Sequence, residues 1–144
     1  MTATEKMTKA DASKINAVTL AFLGDAVYAL YVRDKLVRSF SGKAGELQKT
    51  ASKVLSARGQ SALLNKVLPL LTEDEEDVYK RGRNAKKATK SKNADAVEYA
   101  RSTGFEAVLG YLYLAGDNER IETLLSNIAE EDLRGQAVVT PYKP

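Results

Sequence analysis

Asp25 lies inside the uncharged stretch Val18-Thr19-Leu20-Ala21-Phe22-Leu23-Gly24-Asp25-Ala26-Val27-Tyr28-Ala29-Leu30-Tyr31-Val32, with no lysine, arginine or histidine within six residues on either side. Burying an ionised carboxylate costs several kcal/mol even after relaxation, so such a group needs a cation or a metal. Glu106 is its counterpart further along, in Gly104-Phe105-Glu106-Ala107-Val108-Leu109-Gly110. Both carboxylates have glycine for a near neighbour, and a glycine in mid-helix is unfavourable by about 1 kcal/mol relative to alanine. Such glycines mark the close approach of another backbone or a ligand. If Gly24 and Gly110 let their helices pack tightly, Asp25 and Glu106 face each other and can share a divalent ion. The other reading is that each carboxylate caps or hydrogen-bonds a neighbouring helix end.

The chain has no histidine and no cysteine. That excludes serine-histidine-aspartate triads, histidine-based nucleases, thiolate metal sites and sulfur redox chemistry. Any proton transfer or metal binding must run through Asp, Glu, Lys or Tyr, and an all-oxygen site favours a hard ion such as Mg²⁺, with Mn²⁺ as a substitute. A formal charge of +3 and a pI near 9.0 lean toward a polyanionic partner.

That lean has a local source. The segment Tyr79-Lys80-Arg81-Gly82-Arg83-Asn84-Ala85-Lys86-Lys87-Ala88-Thr89-Lys90-Ser91-Lys92-Asn93 carries seven basic residues and no acidic one. Glycine-punctuated and lacking apolar periodicity, it reads as a loop. Such a loop is either a solvated surface or a set of phosphate contacts with few base-reading groups. Backbone-dominated contacts suit double-stranded RNA, which is recognised by shape, phosphate and 2′-hydroxyl groups.

Only helical signals position these residues, so the fold expected is all-α. At 144 residues, with 44% hydrophobic and 28% charged, the chain has the size of one domain with a sizeable core. A long helix is expected from about 13 to 38, with Asp11 or Ser13 as its cap. Being apolar nearly all round, it should be central. A loop at 41–45 precedes a helix over 46–58 that Gly59 ends or bends. A further helical segment over 61–71 finishes near Pro69. Thr72-Glu73-Asp74-Glu75 fits a capping box, which explains the acidic run Glu73–Asp77 better than a metal site does. A second apolar helix covers 95–115, and an amphipathic one, capped by Asp117, covers 118–131. Residues 1–12 and the tail 135–144 are expected to be loose. The lack of an apolar span or secretory leader points to a soluble cytoplasmic protein with no membrane partner.

The stretch Leu20-Ala21-Phe22-Leu23-Gly24-Asp25-Ala26-Val27 resembles the signature of the ribonuclease III family, Glu-x-x-Glu-Phe-Leu-Gly-Asp-Ala. Ser102-Thr103-Gly104-Phe105-Glu106-Ala107-Val108-Leu109-Gly110 resembles the family's Asp-x-x-Glu-Ala-x-x-Gly helix. The resemblance covers roughly 15–129 and is nearest to the Mini-ribonuclease III branch, which keeps the catalytic domain and lacks the double-stranded-RNA-binding domain.

That resemblance implies the ribonuclease III endonuclease-domain helical fold over 13–134 and a homodimer. It also implies a Mg²⁺-dependent endoribonuclease that cleaves double-stranded RNA in maturation of precursor large-subunit ribosomal RNA. Asp25 and Glu106 fall on catalytic, metal-binding positions, and Lys80, Arg81, Arg83, Lys86 and Lys87 would grip the duplex. The chain departs from the larger family at Val18, Ala21 and Thr103, where acidic residues are usual. A non-catalytic RNA-binding or ribosome-assembly protein on the same fold is the alternative.

Overall fold

The computed structural model describes residues 5–85, 94–128 and 140–141. In chain order they form α1 (Lys9–Ser13), α2 (Ala17–Ser39), β1 (Phe40–Ser41), α3 (Ala44–Leu55), α4 (Ala57–Val67), a 3₁₀ turn (Leu68–Leu70), α5 (Glu73–Asn84), α6 (Ala94–Leu114), α7 (Asn118–Leu125) and β2 (Thr140–Pro141). The fold is all-α, as the sequence implies. Among the described residues the one β element is an antiparallel pairing of Phe40 with Pro141 and Ser41 with Thr140, so part of the tail expected to be loose is paired. Among the described residues no helix is long and apolar enough to cross a membrane.

The long first helix begins later than the spacing suggests. Asn16 caps it, its side-chain oxygen accepting from the Val18 and Thr19 amides at 2.8 and 3.4 Å. Asp11 and Ser13 belong instead to the short α1, which Thr8 caps by accepting from the Asp11 amide. The Met7 amide donates to the Leu114 carbonyl and Ala12 is fully buried, so the packed domain starts before residue 13.

One face of α2, with Leu20, Ala21, Gly24, Val27, Tyr28, Val32 and Leu36, is buried. It packs on α6, whose Phe105, Val108, Leu109 and Leu112 are buried too. Tyr28 and Phe105 meet edge to face at 6.0 Å. α2 is central to the packing, as expected, while its opposite face is not covered. Phe22 is 81%, Leu30 66% and Val37 64% exposed.

The break between α3 and α4 lies at Ser56 rather than Gly59. Ser56 is extended at ψ 158° and its hydroxyl accepts from the Gly59 amide at 3.0 Å, making it the cap of α4. The capping box at the start of α5 forms as its spacing implies, with Thr72 and Glu75 each accepting from the other's amide. Glu75 is buried and takes two hydrogen bonds from Arg120, at 2.8 and 2.9 Å. Arg120 also donates to the Leu70 carbonyl, pinning the start of α7 to the start of α5. Asp117 caps α7, which ends at Leu125 instead of reaching residue 131.

Candidate active site

The crossing of α2 and α6 decides where the two carboxylates stand. A Cβ on Gly24 would run into the Glu106 carbonyl oxygen, and one on Gly110 would run into the Leu20 carbonyl oxygen. No side chain of any size fits at either position, so the two backbones touch. Asp25 follows the first glycine and Glu106 sits one turn before the second. The approach therefore brings both carboxylates to one cleft of about 400 Å³.

Val18, Ala21, Phe22, Leu55, Ala57, Gln60, Tyr99, Ser102 and Thr103 complete the lining. The motif positions Val18, Ala21 and Thr103 thus surround the carboxylates with two apolar groups and a hydroxyl. Thr103 spends its hydroxyl proton on the Tyr99 carbonyl, at 3.0 Å. Among the described residues no three acidic, histidine or cysteine side chains are grouped so that they could hold a metal ion. Two carboxylates are what the cleft offers.

Burial pushes the Glu106 carboxyl up to about 8. The negative charge of Asp25 and a carboxyl contact with it add to the rise, while a hydrogen bond from Gln60 opposes it. These are the marks of two acids sharing a partly dry site that, among the described residues, no lysine or arginine lines. A divalent ion supplies the missing positive charge, and the all-oxygen donor set suits Mg²⁺ or Mn²⁺. By that test the residues fit a hard metal ion.

The basic segment is not a loop throughout. Lys80, Arg81 and Arg83 stand in the last turns of α5, whose Tyr79 and Gly82 are buried. Gly82 lies so close to α6 that a Cβ there would sit 2.9 Å from the Gly104 Cα, so these basic turns flank the helix that carries Glu106. Lys80 pairs with Glu76 at 3.0 Å and Arg81 with Asp77 at 3.3 Å, one helical turn back. Arg83 lies over the Tyr79 ring at 5.6 Å. Exposed pairs of this kind hold by about 0.3–0.5 kcal/mol, weakly enough for phosphate to compete. Lys86 and Lys87 lie outside the described residues.

Sequence reasoning passed over Gln60. It occupies the first position of the stripe Gln60, Leu63, Leu64, Val67 on α4, all four buried. A polar residue at the i position of an i, i+3, i+4, i+7 apolar pattern was the available signal.

The domain is all-α, with Asp25 and Glu106 over the crossing of α2 and α6, and the ribonuclease III domain model matches residues 18–117. The chain is 48% identical to a Mini-ribonuclease 3 of Streptococcus pneumoniae over 118 residues, covering 81% of this chain and 92% of the relative. It is 47% identical to a Mini-ribonuclease 3 of Symbiobacterium thermophilum over 119 residues, covering 83% and 92%. A crystal structure of a Fusobacterium nucleatum protein superposes with a TM-score of 0.68 at 29% identity, covering 78% of this chain and 90% of that one. The chain belongs to the ribonuclease III family and is an endoribonuclease of that type.

Proposed function

We propose that the protein is a Mg²⁺-dependent endoribonuclease that cleaves double-stranded RNA, with Asp25 and Glu106 as its catalytic metal ligands. The observation that carries this is the carboxylate pair in one cleft that, among the described residues, no lysine or arginine lines, on the two motifs that resemble the family's. What such an ion supplies when bound is Lewis-acid charge and a water of lowered pKa. Asp25 and Glu106 would hold it, Glu106 in its deprotonated form, and Asp25 would stand beside the attacking water. Val18 and Ala21 line the cleft with apolar groups. With two carboxylates as protein ligands, such an ion would keep several of its waters, as Mg²⁺ commonly does.

The substrate reading extends to precursor ribosomal RNA of the large subunit, acted on in the cytoplasm. It rests on the Mini-ribonuclease 3 relatives and on the basic turns beside α6. Arg81 and Arg83, with Lys80, Lys86 and Lys87, grip the phosphate backbone. The catalytic domain covers about 13–134, with the ordered residues from Met7 joined to it. Phe22, Leu30 and Val37 form an uncovered apolar face on α2 that suits a homodimer.

Long duplex RNA incubated with the protein, with Mg²⁺ and with EDTA, tests the reading. Cleavage should need the metal, and Asp25→Asn should abolish it while leaving the fold and RNA binding in place. Cleavage retained by that variant, or in EDTA, would overturn the assignment.

A further inference from the structure

Gln60 is a polar side chain where the α4 stripe calls for an apolar one, and it is only 1% exposed. Its Nε2 donates to the Leu55 carbonyl at 2.9 Å and to Glu106 Oε2 at 3.3 Å. Both partners are acceptors, so the amide cannot be reversed without facing oxygen against oxygen. Its Oε1 is then left buried with no partner among the described residues. An orphaned buried acceptor costs roughly 1–3 kcal/mol, and such a group in a folded protein calls for an explanation. A leucine at this position would remove the orphaned acceptor, but it would also take away the donor that the Leu55 carbonyl and Glu106 share.

What a leucine lacks is the donor. The Gln60 amide is anchored at one end by a main-chain carbonyl, a fixed point at the α3–α4 junction, and reaches the carboxylate with its other N–H. We propose that Gln60 is a positioning residue. It pins Oε2 of Glu106 so that the remaining carboxylate oxygen is presented toward Asp25 as a metal ligand. This rests on the metal-site reading above. Partners that orient a metal ligand in this way are worth about 10–100-fold in metal affinity. A chain with two carboxylates depends on such a partner more heavily than one with more, because no further charged ligand compensates for a swinging glutamate.

The test is Mn²⁺ binding to the RNA-free protein, followed by calorimetry, together with urea denaturation in EDTA. Gln60→Leu should lose about tenfold or more in Mn²⁺ affinity, a loss that removing the Leu55 hydrogen bond alone would not cause. Gln60→Met, longer and more pliable, gives the same reading should the branched leucine not pack. Glu106→Gln serves as the reference. If it binds Mn²⁺ like the wild type, the metal-site reading itself fails. If it loses binding while the Gln60 variants keep wild-type affinity, the positioning role alone is refuted. A fall in metal-free stability with unchanged affinity would make Gln60 a structural residue and equally refute the proposal.

Discussion

Glu106→Gln should stabilise the metal-free protein, and by an amount that grows with pH. In the unfolded chain the carboxyl ionises near 4.5, whereas in the cleft burial and Asp25 push it up to about 8. Below 4.5 the proton is held in both states and the group contributes nothing to a pH dependence. Between the two values the unfolded chain releases its proton while the folded one keeps it, so wild-type stability falls as pH rises. The slope approaches 1.4 kcal/mol per pH unit, and the loss levels off above pH 8. Integrated, that is an upper limit of about 5 kcal/mol, which solvent at the open side of the cleft reduces to roughly 2–3 kcal/mol. Glutamine keeps the shape and still accepts from Gln60, but it carries no proton to lose. Urea denaturation in EDTA at fixed protein concentration, from about pH 5 to about pH 8, measures the difference. The two proteins should be close at the acid end and separated by roughly 2–3 kcal/mol at the alkaline end. Adding Mg²⁺ should narrow the gap by stabilising the wild type alone. Parallel curves across that range would refute the placement of Glu106 in a dry, cation-free site.

Gly24→Ala sets a helix-propensity gain of about 1 kcal/mol against a Cβ inside the Glu106 carbonyl, and the clash should win, costing about 3 kcal/mol and abolishing cleavage. An unchanged urea midpoint would contradict the backbone contact. Arg120→Met leaves Glu75 buried without its cation and should cost about 3 kcal/mol or more. Burial alone raises the Glu75 carboxyl, yet hydrogen bonds from Arg120 and the Thr72 amide outweigh it and hold it below its ordinary 4.5. The stability this gives is full above that value and is lost as pH falls through the lowered one, so an acid titration of wild type and variant should converge at low pH. Replacing Arg81 and Arg83 by glutamine should weaken duplex RNA binding and reduce the slope of log affinity against log salt by roughly two. An unaltered slope would return those turns to the role of solvated surface.

Much of the architecture was legible because local rules act over short stretches. The capping box at Thr72 and the cap at Asp117 were both readable, since a side chain three residues from an amide has few other partners. Where two residue types competed for one role, the sequence misled. Asn16 rather than Asp11 or Ser13 starts the long helix, and Ser56 rather than Gly59 breaks the next pair. In both cases the hydrogen bond the cap actually makes decided the matter. The basic segment looked like a loop because its apolar anchors, Tyr79 and Gly82, are buried only against α6, a partner 20 or more residues away.

By itself the sequence determined the chemistry that was possible: oxygen ligands without histidine or thiolate, two lone carboxylates on apolar helices, and glycines marking where backbones meet. Those are properties of residue type and short-range spacing. The fold decided which of them share a site, because the α2–α6 crossing brings Asp25 and Glu106 together. It also decided that Gln60, an unremarked residue on a third helix, reaches Glu106, itself 81 positions after Asp25 in the chain. Desolvation and charge repulsion depend on that meeting, so the shifted carboxyl exists only in the packed molecule.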